Sequence, residues 1–172
     1  MKNIEIETFI TKRLLLKKDA KRINNEDIAT FLSLNAQQIK ITDSLMNDKN
    51  LNFYQWGIFL LQSHELIGTI GVVNINEEKK FIEINYYIEK KYRNQGYATE
   101  ALRQIIDYFF NQVKIKEIRA SHSLNNLAAQ KVLLKCGMTF TYDTFYKDSQ
   151  RKEEIIRNYS LKNSLYISSF TF

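Results

Sequence analysis

A chain of 172 residues with 44% hydrophobic and 26% charged side chains has the size of one domain and is too apolar to be disordered. Its single cysteine, Cys136, excludes an internal disulfide framework, and with only His64 and His122 beside it there is no metal-ligand cluster at recognisable spacing. The net charge of +6 comes from basic residues scattered along the chain, which argues against a nucleic-acid partner and suits either a solvated surface or a phosphate-rich ligand.

Met1 to Glu7 carries acids at Glu5 and Glu7 and no stretch of signal-peptide length. No apolar run approaches the ~20 residues that a membrane-spanning helix needs. The expectation is a cytoplasmic protein, monomer or homodimer, with no membrane partner and no metal. Proline is absent, so turns rely on Gly, Asn, Asp and Lys-rich dipeptides. Ile10–Lys17 reads as a first strand. Asn25, as an N-cap before Glu26 and Asp27, starts a helix to about Leu34 with an inward face of Ile28, Phe31 and Leu32. Gln37 to Asn52 suggests a second short helix and a loop. Phe53–Leu61, Leu66–Asn74 and Phe81–Ile88 read as three consecutive antiparallel strands.

After Gly96 the period changes. Ala98, Ala101/Leu102, Ile105/Ile106, Phe109/Phe110 and Val113 form a helical stripe. Lys116–Ser121 is a short strand. Asn126 opens a last helix, which Gly137 ends as the C′ residue, and Met138–Phe145 and Ile155–Leu161 form a closing hairpin. The tail 162–172 is apolar enough to dock as a strand, contact a second subunit or fray. The sum is one domain over residues 1–172: a mixed, mostly antiparallel seven-stranded sheet with about four helices on its faces.

The turn Arg93-Asn94-Gln95-Gly96-Tyr97-Ala98 carries the chemistry. The first turn of a helix has N–H groups without intrahelical partners, and its dipole favours an anion. Small residues there let a ligand approach the backbone, and Lys90, Lys91 and Arg93 add positive charge. A pyrophosphate meets these requirements. The six-residue pattern alone, Gln or Arg, two residues of any kind, Gly, one of any kind, then Gly or Ala, arises by chance roughly 0.1–0.2 times in a chain of this size, so its context has to decide.

That context resembles motif A of the GNAT N-acetyltransferases. EINYYIEKKYRNQGYATEAL is similar to the RimJ/RimL-like branch in particular. Asn126-Leu127-Ala128-Ala129-Gln130-Lys131-Val132-Leu133-Leu134-Lys135-Cys136-Gly137-Met138 resembles that branch's N-x-x-S-x-x-[VL]-x-x-K-x-G-F, and Thr11-Lys12-Arg13-Leu14-Leu15-Leu16 its opening T-x-R-L-x-L-R. Together they span most of residues 8–161. The resemblance implies acetyl-CoA as co-substrate and an amine as acceptor. It implies a sheet splayed at strands 4 and 5. It further implies that Arg93, Asn94, Gln95, Gly96, Tyr97, Ala98 and Thr99 surround the pyrophosphate, and that the backbone of Tyr86, Tyr87 and Ile88 pairs with the pantetheine arm. An N–H near Ile88 would polarise the thioester carbonyl, and Asn126 would hydrogen-bond the coenzyme arm. Three positions depart from the pattern: Ala129 stands where Ser is usual, Asn85 where Gly is, and Met138 where Phe is.

Transfer to an amine calls for a base. Glu83, matching the Glu of the branch's E-I-G-Y, is the candidate. Its competing reading is a solvent-facing strand carboxylate. Where some members carry an acidic Tyr this chain has Leu133. Ser121, His122 and Ser123 are second-rank candidates, with His122 expected as a solvated turn residue. Cys136 has no neighbouring histidine in sequence and reads as a buried small hydrophobe. The acceptor is open among a protein N-terminal amine, an antibiotic and a polyamine, and a silent acyl-CoA sensor is the alternative to an enzyme.

Overall fold

The computed structural model of the chain describes residues 8–17, 54–147 and 153–164. The helices expected between residues 26 and 52 and the apolar tail from residue 165 onward lie outside the described residues. Eight strands form one sheet: β1 (Phe9–Ile10), β2 (Leu14–Lys17), β3 (Tyr54–Leu60), β4 (Leu66–Asn76), β5 (Phe81–Ile88), β6 (Glu117–Ser123), β7 (Thr139–Lys147) and β8 (Glu153–Lys162). Their order is β1-β2-β3-β4-β5-β6-β8-β7. Helix α1 (Tyr97–Tyr108), extended by a π-helical turn (Phe109–Val113), connects β5 to β6. Helix α2 (Leu127–Lys135) connects β6 to β7.

The sheet has one strand more than the seven expected because the run Ile10–Lys17 is not continuous. The chain reverses at Thr11–Arg13, where the Thr11 N–H donates to the Leu14 carbonyl at 2.9 Å and the Leu14 N–H donates back to Thr11 Oγ1 at 3.0 Å. An apolar run does not announce such a turn when no Gly or Pro marks it. β6 also runs two residues past its expected end at Ser121, so His122 and Ser123 are strand residues.

Alternation explains the layers. Leu14 and Leu16, Trp56 and Ile58, Ile70 and Val72, Ile82, Ile84 and Ile88 are buried on one face. α1 packs there with Ala101, Leu102, Ile105 and Ile106. At about 1.5–3 kcal/mol for each fully buried Leu or Ile, this stripe is what holds the helix to the sheet. Between β4 and β5 the backbones come close: a Cβ on Gly68 would lie 2.1 Å from the Tyr87 carbonyl oxygen, so only glycine fits there.

All neighbouring strands are antiparallel except β5 and β6. That parallel pair is joined only at Phe81↔Glu117, Ile82↔Ile118 and Glu83↔Arg119. Beyond it β5 stays paired to β4 as far as Ile88, and β6 to β8 as far as Ser123. The two strands therefore diverge, and the sheet is split between them where a splay was expected.

Candidate functional site

α1 begins at the upper end of the split. Lys90–Tyr92 makes a 3-10 turn, and Asn94 (φ 62°) and Gly96 (φ 84°) then take left-handed backbone conformations. The second is strained for anything but glycine. Gly96 is the N-cap of α1 and no side chain caps the helix. The first intrahelical hydrogen bond runs from the Glu100 N–H to the Gly96 carbonyl at 3.0 Å. The N–H groups of Tyr97, Ala98 and Thr99 therefore have no carbonyl within the helix, and among the described residues no side chain caps them. This is the stretch that was expected to receive a pyrophosphate.

The cation beside this turn is one the sequence reading gave no role. Arg13, from the β1–β2 turn, donates from Nη1 to the Gln95 carbonyl at 3.0 Å and from Nε to Glu100 Oε2 at 2.7 Å. Its guanidinium lies over the Tyr97 ring, 4.5 Å from the centroid. Glu100 Oε1 also accepts from Thr11 Oγ1 at 2.6 Å and from the Arg13 N–H at 2.8 Å. Burial raises the Glu100 carboxyl, but these bonds from Thr11 and Arg13 together outweigh it and hold the group below its ordinary value. The two segments picked out by their resemblance, Thr11-Lys12-Arg13 and Tyr97-Ala98-Thr99-Glu100, are thus one latch. Two of the three charges expected to flank the turn are engaged elsewhere: Lys91 pairs with Glu65 at 2.7 Å, and Arg93 folds back with Nε donating to the Ile88 carbonyl at 2.8 Å.

The free edge of β5 faces the split. The Glu89 N–H donates to the Ile67 carbonyl at 2.9 Å. Backbone groups alternate in direction along an antiparallel strand, so Tyr87 faces β4 together with Glu89, while Tyr86 and Ile88 aim N–H and C=O into the split. Arg93 reaching the Ile88 carbonyl agrees with that direction. Tyr86 also sends its side chain under α2, where the phenol donates to the Ala129 carbonyl at 3.3 Å. Burial pushes this phenol far above its ordinary value, with a smaller push from Cys136. Glu83 and Ile88, the two residues singled out for catalysis, are five positions apart. At about 3.3 Å per residue that is about 16 Å along the strand. Tyr86, three positions from Glu83, is about 10 Å away.

Odd-numbered positions of β5 and β6 turn to the face away from α1. There a cavity of about 750 Å³ lies over the vertex of the split, lined by Glu83, Asn85, Arg119, Ser121, Tyr142 and Asn158, among others. Arg119 donates from Nε and Nη2 to the two oxygens of Glu117 at 2.8 and 3.2 Å. It also stacks 3.8 Å from the centroid of Phe81.

α2 differs from α1 at its start. Asn126 caps it, its Oδ1 accepting from the Ala129 N–H at 3.0 Å. The atom that would have been one of its contacts to a coenzyme is used within the helix, although the side-chain nitrogen keeps two donors. At the other end Arg103 Nη2 donates to the Lys135 carbonyl at 2.8 Å, and Gly137 closes the helix as expected, its N–H donating to the Leu134 carbonyl at 3.0 Å. Cys136 Sγ donates to the Thr99 carbonyl at 3.7 Å, and burial pushes its thiol up to about 11 against a smaller opposing pull from Arg103. That fits a packing residue better than a nucleophile. Leu133 is buried in the core. His122 corrects the expectation of a solvated turn: it is 6% exposed, stacked 5.2 Å from Tyr159, with Nδ1 2.7 Å from the Ser123 carbonyl. The longer β6 and its alternation place it among Ile118 and Ala120 on the helical face. Among the described residues no group of three His, Cys, Asp or Glu could hold a metal, and no helix is long and apolar enough to cross a membrane.

Residues 13–139 match the family model described as an acetyltransferase (GNAT) domain. YjcK, a probable N-acetyltransferase of Bacillus subtilis, is 30% identical over 108 residues, which cover 62% of this chain and 60% of YjcK. The fold is also that of a Vibrio cholerae protein provisionally assigned as a ribosomal-protein-serine acetyltransferase, at a TM-score of 0.66 and 22% identity over 91% of this chain and 97% of that one. A chimera of the Vibrio cholerae spermidine N-acetyltransferase SpeG superposes at a TM-score of 0.67 with 16% identity, covering 91% and 99%.

Proposed function

The chain belongs to the GNAT acetyltransferases, an acyltransferase family, and we propose that it moves the acetyl group of acetyl-CoA to a primary amine by direct attack in a ternary complex. The observation that carries this reading is the split sheet whose free β5 edge leads to the uncapped start of α1. The pyrophosphate accepts hydrogen bonds from the backbone of Gln95 to Thr99, with Arg13 adding charge. The pantetheine arm lies along the gap-facing edge of β5 at Tyr86 and Ile88, adding a strand where β6 has diverged. Its acetyl end then reaches toward the vertex at Glu83.

The amine arrives from the cavity on the other face. Glu83 takes its proton, directly or through one water, because an ammonium has no lone pair with which to attack. The nitrogen adds to the thioester carbon, and the carbonyl oxygen becomes an oxyanion. The Tyr86 N–H, which faces the split nearer to Glu83 than that of Ile88, is the donor that stabilises it. Collapse expels the coenzyme thiolate, a tolerable leaving group at a thiol pKa of about 8.5, and the second proton of the adduct nitrogen passes, through water, to that thiolate, leaving a neutral amide and CoA thiol. An acetyl-Cys136 intermediate is disfavoured by a buried thiol that holds its proton.

Two measurements test this. Acetyl-CoA raises the melting temperature of the protein, and free CoA thiol appears when amines are added. No shift at millimolar acetyl-CoA overturns coenzyme binding. A shift without turnover on any amine leaves a coenzyme-binding sensor, the reading that Ala129 and the buried Leu133 favour.

A further inference from the structure

The acceptor cavity holds a feature that the transfer reaction does not need. Arg119 is a fixed cation on its wall. One edge of the guanidinium, Nε and Nη2, is fastened to Glu117, and its plane is set by the Phe81 ring 3.8 Å away. A guanidinium has five N–H donors in a rigid fork, so this arrangement leaves the Nη1 hydrogens and one on Nη2 uncommitted to Glu117. Those form the end-on edge, which matches the two oxygens of a carboxylate.

Glu83 is the neighbour of Arg119 across the last rung of the β5–β6 pairing. Two such residues on adjacent strands have backbones about 4.8 Å apart. Their side chains share the odd face and both line the cavity. They are not paired with each other within 4.0 Å, since Arg119 makes its ion pair with Glu117. An anion site and a cation site therefore stand side by side at the vertex of the split.

The rest of the lining supports a balanced ligand. Among the described residues its charged side chains are Glu83 and Glu117 against Arg119 and Lys162, which cancel. A polyamine carries several positive charges and would be drawn to a wall with excess acid, not to one with a guanidinium at its centre.

We infer that the acceptor is a small zwitterionic primary amine of the free amino-acid class, its carboxylate held end-on by Arg119 while its amine is turned to Glu83. This rests on the acetyl-transfer reading of the same site. Arg119 is a specificity residue, held rigid by Glu117 and Phe81, and takes no part in the proton transfer.

The experiment compares free amino acids with their carboxamides, alongside a polyamine and a peptide with a neutral amino-terminal segment. Each is titrated into protein saturated with CoA, and each is assayed with acetyl-CoA. The expected result is binding of the acids about 10- to 100-fold tighter than of their amides, the range for loss of a charge-assisted hydrogen bond. Arg119→Gln removes that preference, weakening the acids far more than the amides. Arg119→Lys restores it only in part, because an ammonium lacks the fork. Equal affinity for acid and amide, a preference for the polyamine or the peptide, or an Arg119→Gln effect that is the same on acid and amide overturns the proposal. Acid-selective binding without turnover supports this carboxylate site and refutes acetyl transfer instead, so the two failures are distinguishable.

Discussion

The two helices among the described residues begin in opposite ways. α2 starts conventionally: Asn126 accepts a hydrogen bond from the Ala129 N–H, so one orphan donor of its first turn has a side-chain partner. α1 starts with Gly96 in a left-handed conformation and, among the described residues, no side-chain cap. Both ends face the same need to satisfy backbone donors. α2 meets it in part from its own sequence, and α1 has no side-chain cap among the described residues. What α1 lacks in capping it gains in bracing, because Arg13 and Thr11 hold its Glu100 and Arg13 also holds the Gln95 carbonyl of the approach. The turn is kept in shape without its N–H groups being used.

The largest effect should come from closing the open end. Gly96→Trp places a bulky side chain where φ is 84° and where even a Cβ would lie 3.3 Å from Arg13 Nη2. Left-handed backbone costs a non-glycine residue about 1–2 kcal/mol, and the indole would occupy space in front of the N–H groups. Calorimetric titration with CoA should show affinity lower by about 100-fold or more, on the scale of about 2.7 kcal/mol. Retained affinity would mean that the coenzyme phosphates lie elsewhere.

Next comes the brace. Glu100→Gln keeps the shape but removes the charge that Arg13 and Thr11 bind. A charged hydrogen bond contributes about 1.5–3 kcal/mol, reduced here because the Arg13 side chain is 42% exposed. We expect a loss of about 1–2 kcal/mol by urea denaturation, and a second substitution, Arg13→Ala, adding less than it costs alone. The pH dependence has a definite sign. Glu100 is held below its ordinary 4.5 in the folded chain, so its contribution is complete above about pH 4.5 and is lost as pH falls through the lower folded value. Glu100→Gln should flatten that acid limb of the stability curve. An unchanged limb would show that the latch does not form in solution.

The brace also marks what the sequence could and could not disclose. The α1 stripe, its start at Gly96 and the end of α2 at Gly137 were legible because helix periodicity and glycine positions are local signals. The uncapped turn before α1 was legible because a strand, a basic turn and a small-residue helix start follow one another in the chain. The latch was not: Thr11 and Arg13 are 87 or more residues from Glu100, and nothing in either segment names its partner. His122 was misplaced for a related reason. Ser121 and Ser123 on either side of it look like turn residues, yet pairing with β8 through Ser123 keeps them in the strand. The Arg119 fork was equally hidden, since Glu117, Arg119 and Phe81 come together only when β5 and β6 pair. The helices expected before residue 54 fall outside the described residues.

A smaller effect tests the closed end. Asn126→Ala removes the cap of α2, which should cost about 1 kcal/mol in thermal or chemical denaturation. If α2 is closed to ligand, the affinity for CoA should change by less than about threefold. A larger loss in affinity than in stability would return Asn126 to the coenzyme, through the side-chain nitrogen that the cap does not use.

The smallest effect is expected where the two helices meet. Cys136, just past the end of α2, donates weakly to the Thr99 carbonyl in the first turn of α1. A thiol is a weak donor, and at 3.7 Å the contact contributes little beyond packing. With its proton held up to about 11 by burial, the sulfur is almost wholly protonated at neutral pH and a poor nucleophile. Cys136→Ala should therefore lower stability by about 1 kcal/mol or less for the small apolar volume removed, and leave kcat for acetyl transfer within twofold. Alkylating reagents at pH 7 should modify the native protein far more slowly than the unfolded chain. Loss of turnover in Cys136→Ala with coenzyme affinity intact would instead place an acetyl-cysteine on the pathway, and direct attack by the amine would have to be abandoned.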